Sequence, residues 1–244
     1  MKKHVSVFML MARSSVYRVF LSILAVSLLQ ALGFYLSCNG ILLGRGATLV
    51  DTLTTSLFFI FFAVGLFAIT FFLCRTGWEA SAKTGYTLKR LSISERQVFL
   101  WQAFYNTLIY VLYWFCQALL IFGLARWYIA TQDGGDLTEF MLFFRSGLAR
   151  GFWSMEDPIG FVRNALFCLM LGLASARYPM AQRNGKRFGE IFPVFLLTLA
   201  LWNRALVNDG GSDALAYVLS LVFIGLSLVK ATGKEETEDY YDDY

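Results

Sequence analysis

The sequence predicts an all-α, polytopic membrane protein: six transmembrane helices with cytoplasmic N- and C-termini. Three observations predict it. Of 244 residues, 57% are hydrophobic and only 16% charged, and mean hydropathy is +0.57. A soluble domain of this length needs more polar surface to cover its core. The apolar residues gather into runs long enough to cross about 30 Å of hydrocarbon; neither Leu53–Cys74 nor Gln97–Ala125 contains a charged residue. Basic residues collect in alternate connections between runs, which is the positive-inside pattern.

Residues 2–14 place Lys2, Lys3 and Arg13 around Val5, Val7, Phe8, Leu10 and Met11. That suits a short interfacial helix in the headgroup plane, a frayed charged terminus being the alternative. Arg13 and Arg18 stand where a signal peptide would need small residues for cleavage, so none is expected. The first span is Val16–Ser37, followed by an outer loop with Asn39, Gly40, Gly44 and Gly46. The second span, Leu53–Cys74, returns inward, and the third, Val98–Leu124, goes out again.

A long outer stretch, Arg126–Asp157, comes next. After the turn QDGGD, Asp136 and Glu139 have capping-box spacing, and Leu137, Phe140, Met141, Phe144 and Leu148 recur at helical intervals. With Arg145 and Arg150 inside it, segment 136–153 reads as an amphipathic helix on or dipping into the outer leaflet. The fourth span is Ile159–Ala176, the fifth Ile191–Val207 and, after the tight turn NDGGSD, the sixth Ala214–Val229. The last two are short, so a re-entrant pair is the alternative. Pro158, Pro179 and Pro193 fall at these helix ends, where a missing N–H costs little. Residues 1–230 thus form one transmembrane domain. Residues 231–244, with six acids in the last ten, form an acidic disordered tail.

Fifteen of the 21 Lys and Arg fall inside under this arrangement, and Arg45, Arg126, Arg145, Arg150, Arg163 and Arg204 fall outside. Membrane orientation therefore explains the pI of about 8.9, and nucleic acid is not an expected partner.

Little in the chain is equipped for chemistry. His4 is the single histidine, and Cys38, Cys74, Cys116 and Cys168 form no CxxC. No metal site, disulfide framework or Ser–His catalysis is expected, and the cysteines read as small buried hydrophobes. No GxxxxGK[ST] occurs, so the chain is not an ATPase and binds no cofactor of its own. No acid lies mid-span, which argues against a carrier built on a buried carboxylate.

The third span carries a polar stripe. Gln102, Asn106, Tyr110, Tyr113 and Gln117 are spaced 4, 4, 3 and 4 and share one helix face. Amides facing lipid are expensive, so this face meets protein or a wet cavity. It is either interhelical hydrogen-bond glue or the lining of a transport path. Arg163 and Arg204, near the outer boundary, read as snorkelling residues with Glu156, Asp157, Asp209 or Asp213 as partners. Gly172 and Ala176 form a small-xxx-small pair for close helix approach.

The loop 75–97 is the segment around which the chain is organised. Arg75–Arg96 carries five basic residues against two Glu. Gly85 breaks the chain, Ser92 or Ser94 can cap a helix start, and Lys89, Arg90 and Arg96 offer charge to an acidic groove. The alternative is a loop that only fixes orientation. In the order Gly85, Tyr86, Thr87, Leu88, Lys89, Arg90, Leu91, Ser92, Ile93, Ser94, Glu95, Arg96, leading into Val98, the stretch resembles the second-to-third-span loop of ABC-type exporter permeases of the type-2 class. The resemblance implies a coupling helix, Gly85 and Thr87–Glu95, that docks on a separate ATPase subunit holding ATP and Mg. It also implies a second permease subunit, in a homo- or heterodimer, and residence in the plasma membrane of a bacterium. Peptide, lipid or drug would each suit the aromatic-rich interior as cargo. A non-transporting scaffold or sensor subunit and a small secondary carrier are the rival readings.

Overall fold

The computed structural model describes residues 2–39, 57–75, 94–131, 151–152, 158–183, 190–207 and 210–232. Residues 76–93 of the basic loop, the outer segment as far as Arg150 and the tail from residue 233 lie outside them. The described residues form six helices and no strand: α1 (Lys2–Cys38), α2 (Phe58–Arg75), α3 (Glu95–Thr131), α4 (Pro158–Arg183), α5 (Ile191–Val207) and α6 (Gly210–Thr232). Four contain stretches long and apolar enough to cross a membrane: Ser15–Cys38, Phe58–Arg75, Arg96–Thr131 and Ile159–Ala181. The apolar stretches of α5 and α6, Ile191–Asn203 and Asp213–Val229, are shorter. The protein is thus all-α and of membrane-embedded type, with four such helices where the sequence predicts six spans.

Several boundaries differ from the sequence expectation. The predicted interfacial helix 2–14 is not a separate element, because α1 runs without a break from Lys2 to Cys38. No Gly or Pro occurs before Gly33 to interrupt it, and Phe8 packs on Trp101, Phe104 and Tyr105 of α3. Helix α3 continues past Leu124 to Thr131, and α4 past Ala176 to Arg183. Pro179 therefore lies inside α4, not beyond it. It sits near the helix end, where the N–H it lacks removes a single bond to residue 175. The expected turn at 208–213 is helical from Gly210, with Asp213 in the first turn, where a carboxylate complements the helix dipole.

Helices successive in the chain alternate in direction. Ser15 meets Tyr105 and Gln30 meets Gln117, so α1 and α3 are parallel. Helix α2 opposes them, its Phe62 reaching Tyr113 and its Thr70 reaching Tyr110. Helix α4 opposes α3, with Ser175 at Asn106 and Phe161 at Trp114. Helix α5 opposes α2, through Phe67–Phe195 and Phe62–Trp202. Helix α6 follows α4: Asp213 meets Arg163, and Ile224 packs near Leu173 and Ala176. The helix ends at residues 2, 75, 95, 183, 191 and 232 consequently gather at one end of the bundle.

Helix α4 is the hub. In its membrane-length stretch 67% of residues are buried, against 28% in α1, and it packs on α2, α3, α5 and α6. Its pairing with α3 is the most extensive in the fold. Gly172 makes that closeness possible, since a Cβ there would lie 2.9 Å from both the Cα and the N of Thr107. Backbone atoms cannot step aside as a side-chain tip would. Gly123 on α3, by contrast, has nothing within 4 Å of where its Cβ would be.

Beside this seam lies an aromatic core. Phe62 stacks on Tyr113 at 5.4 Å and meets Phe152 and Trp202 edge-on at 4.8 and 5.0 Å. Phe167 of α4 approaches Trp202 at 5.6 Å. Gly151 and Phe152 are buried, with Phe152 fully enclosed, so the end of the predicted outer segment enters the bundle between helices.

The two glycines yield opposite expectations. Gly172→Ala should lower stability by about 1–3 kcal/mol through overpacking. Gly123→Ala should be neutral or raise it by up to about 1 kcal/mol, since the helix loses a flexible residue. Unfolding midpoints of the two variants in one detergent check this; equal shifts would contradict the packing.

Candidate functional site

The polar stripe of α3 is buried along its whole length. Gln102 is 4% exposed, Asn106 and Tyr110 1%, and Tyr113 and Gln117 0%. The 3.6-residue period places all five on the side of α3 that its neighbours cover. Each neighbour supplies a partner. Gln30 of α1 donates through Nε2 to Gln117 Oε1 at 2.7 Å and to the Phe58 carbonyl at 3.3 Å. Tyr113 donates to the Phe62 carbonyl and Tyr110 to Thr70 Oγ1, both at 2.9 Å. Asn106 Nδ2 donates to Ser175 Oγ at 2.8 Å, and Ser175 donates in turn to the Gly172 carbonyl at 3.0 Å. Tyr105, one position off the stripe, shares a 2.7 Å bond with Ser15. The stripe therefore ties α1, α2 and α4 to α3.

Bonding is incomplete around the stripe. Gln30 Oε1, Gln117 Nε2, Asn164 Oδ1 and Trp202 Nε1 are buried without a hydrogen-bond partner. Exchanging O and N in either glutamine still leaves one donor and one acceptor over. Asn164 Nδ2 and Trp114 Nε1 bond the carbonyls of Gly151 and Phe152 at 2.8 and 2.9 Å, so the same region holds the inserted turn.

Four other hydroxyls in the helices bond locally, whereas Ser220 and Ser227 Oγ of α6 are buried without a partner. Ser37, Thr70, Thr107 and Thr198 each donate to the carbonyl four residues back, at 2.7–2.9 Å. This back-bonding lets a hydroxyl sit in an apolar helix without a distant partner.

Arg163 is not a snorkelling residue. It is 5% exposed, and its guanidinium pairs with Asp213 at the start of α6. The part-buried pair, with Tyr217 bonded to the Ile159 carbonyl, fastens the start of α6 to α4. Arg204 belongs to α5, but its side chain is outside the described residues.

At the end of the bundle where helix ends 75 and 191 meet, α2 and α5 part to leave a cavity of about 280 Å³. Phe67, Thr70, Phe71 and Cys74 line it from α2, Tyr178 from α4, and Ile191, Phe192 and Phe195 from α5, with Arg75 beside them. Thr70 belongs to both features: its Oγ1 accepts from Tyr110 of the stripe and it faces the cavity.

Of the predicted coupling segment, Gly85, Thr87, Leu88, Lys89, Arg90, Leu91, Ser92 and Ile93 lie outside the described residues. Ser94 and Glu95 lead into α3. Ser94 is its N-cap, with Oγ accepting from the Gln97 N–H at 3.4 Å and its carbonyl from the Val98 N–H at 3.2 Å. Among the described residues, no group of His, Cys, Asp and Glu is placed to hold a metal ion.

Comparisons with protein-family profiles, curated proteins and solved structures found no match.

Sequence reasoning singled out the stripe but not its side-chain partners Gln30, Thr70 and Ser175. A signal existed for the first, since Gln30 is the single amide in Val16–Ser37. Ser175 and Thr70 gave none, because a lone hydroxyl in an apolar run is commonplace.

A double-mutant cycle on Gln30→Leu and Gln117→Leu should give a coupling of about 0.6–2 kcal/mol, the range for hydrogen bonds between membrane helices. Each single change should cost more than its share of the double. Strict additivity of unfolding free energies in detergent would exclude a direct bond.

Breaking the ion pair should be more severe. Arg163→Leu leaves the part-buried Asp213 with no counter-charge and should destabilise by about 1–3 kcal/mol. Arg163→Leu combined with Asp213→Leu should recover most of that loss, read by the same unfolding measurement.

Proposed function

We propose that the chain is the transmembrane permease subunit of an ATP-binding-cassette exporter. It sits in the plasma membrane of a bacterium with both termini and the loop 75–97 in the cytoplasm, and all six helices cross. The observation that carries this reading is the alternation of helix direction. It brings the helix ends at residues 2, 75, 95, 183, 191 and 232 to one end of the bundle. The sequence adjoining those ends holds most of the basic residues, which supports a cytoplasmic side by the positive-inside rule.

In this reading the chain performs no chemistry. A partner ATPase subunit holds ATP and Mg, and Gly85 with Thr87–Glu95 docks on it. Lys89 and Arg90 meet an acidic groove. Ser94 transmits movement directly, since it caps α3 and α3 carries the stripe that grips α1, α2 and α4. Motion of the segment thus reaches three helices through one. A second permease subunit, identical or related, completes the path.

A membrane scaffold or sensor subunit is the second reading. What favours it is the stripe itself, since Asn106, Tyr110, Tyr113 and Gln117 all bond to neighbouring helices.

Purification from native membranes should bring down a Walker-type ATPase. Recovery with a non-ATPase partner would support the scaffold, and gradient-driven solute movement by the chain alone would support a carrier. Lys89→Glu with Arg90→Glu should leave insertion intact. It should lower transport-coupled ATP turnover by about tenfold or more, because like charges across an interface cost several kcal/mol and ~1.4 kcal/mol is a factor of ten. Unchanged coupling in that variant would count against docking through this loop.

A further inference from the structure

Most of the buried polar atoms left without a partner gather around the inserted turn Gly151–Phe152. Gln30 Oε1 of α1, Gln117 Nε2 of α3, Asn164 Oδ1 of α4 and Trp202 Nε1 of α5 make no hydrogen bond, on side chains no more than 1% exposed. The turn links them. Asn164 Nδ2 holds the Gly151 carbonyl, and the Trp202 ring stacks on Phe152 at 5.9 Å. Trp114, one helical turn before Gln117, holds the Phe152 carbonyl. The Phe58 ring meets Phe152 edge-on at 6.4 Å, and the Phe58 carbonyl accepts from Gln30. Side chains of five helices thus converge on one turn, toward the end of the bundle opposite residues 75 and 191. Arg163 Nε, beside Asn164 in the chain, is a further donor left over, although Asp213 meets its charge. Ser220 and Ser227 stand apart on α6.

The four neutral groups leave two acceptors and two donors. Asn164 cannot be turned around, because the Gly151 carbonyl needs its N–H, and an indole has no acceptor to exchange. A cation would be met by acceptors alone and an anion by donors alone. A mixed, neutral set fits a molecule that gives and takes hydrogen bonds at once. Water is the smallest such molecule, and a buried one typically makes about three bonds to polar groups that have no other partner. We infer that the inserted turn is an internal hydration site. Ordered water there accepts from Gln117 and Trp202 and donates to the carbonyl oxygens of Gln30 and Asn164. A water bridge can exchange partners without leaving a polar group bare. The turn can therefore shift against α3 and α4 while the direct Asn106–Ser175 bond stays fixed. The site requires no partner subunit and no particular orientation in the membrane, so it stands apart from the exporter reading.

The test is radiolytic footprinting of the purified full-length chain in detergent micelles. A brief X-ray pulse makes hydroxyl radicals from water, so a side chain sealed from bulk solvent is oxidised only where water is bound beside it. Oxidation is read by mass spectrometry and scaled to each residue's rate in the unfolded chain. Trp202 and Phe152 should be oxidised severalfold faster than Tyr110, which is as deeply buried but has its hydroxyl bonded to Thr70. Asn164→Leu should abolish the excess at Trp202. Because that change also removes the bond to Gly151, Trp202→Phe is paired with it. Trp202→Phe leaves the bonds of Asn164 and Trp114 to the turn in place and should abolish the excess at Phe152. Oxidation of Trp202 no faster than that of Tyr110 in the unaltered chain would overturn the proposal; it is the result given by a dry interior, with the indole closed directly on an amide. An excess at Phe152 that survives Trp202→Phe would overturn it as well.

Discussion

A polar group surrounded by hydrocarbon must find a partner inside the protein, and that constraint organises this molecule. Water is absent to solvate an amide at the middle of a membrane helix, so an unpaired one costs several kcal/mol. Helix α3 carries five polar side chains on one face, and each neighbour that covers it does so with a matching donor or acceptor. Apolar contact alone would not select a rotation for α1, α2 or α4, because lipid tails pack as well as leucine does. Directional bonds do select it.

Packing then completes what the bonds begin. Gly172 brings the α4 backbone against Thr107, which keeps Ser175 within reach of Asn106 one helical turn away. The aromatic core around Phe62 fills the wider space where α2, α3, α4 and α5 diverge, and the inserted Phe152 closes it. The result is an interior tight along α3–α4 and looser toward α5. The cavity lies on that looser side.

Much of this was legible in the residues. Long charge-free runs announce membrane helices, because nothing else tolerates them, and the 4, 4, 3, 4 spacing located the stripe. Helix ends were less legible. A span must end where hydrocarbon ends, but a helix need not, and residues such as Arg126, Tyr178 and Arg183 continue one readily in water or headgroups. Pro179 misled for the same reason: near a helix end it removes one bond and stops nothing. The pairing of Arg163 with Asp213 spans 50 positions of sequence, and local reasoning could place Asp213 only within a set of candidates. Which acid wins depends on how α6 lies on α4, and that is a tertiary fact.

The parallel α1 and α3 each contain 37 residues, about 55 Å of helix. Trp101 packs with Phe8 near one end of the pair, and Trp127 packs with Phe34 and Tyr35 near the other. The two indoles lie 26 positions apart on a single helix, about 39 Å, close to the ~40–45 Å from headgroup to headgroup of an ordinary bilayer. Indole rings prefer that boundary. The pair of helices is therefore a ruler. In a thicker sheet of lipid both rings sink into oil, and in a thinner one the rod must lean, so membrane thickness alone changes the tilt of the helix that grips α1, α2 and α4.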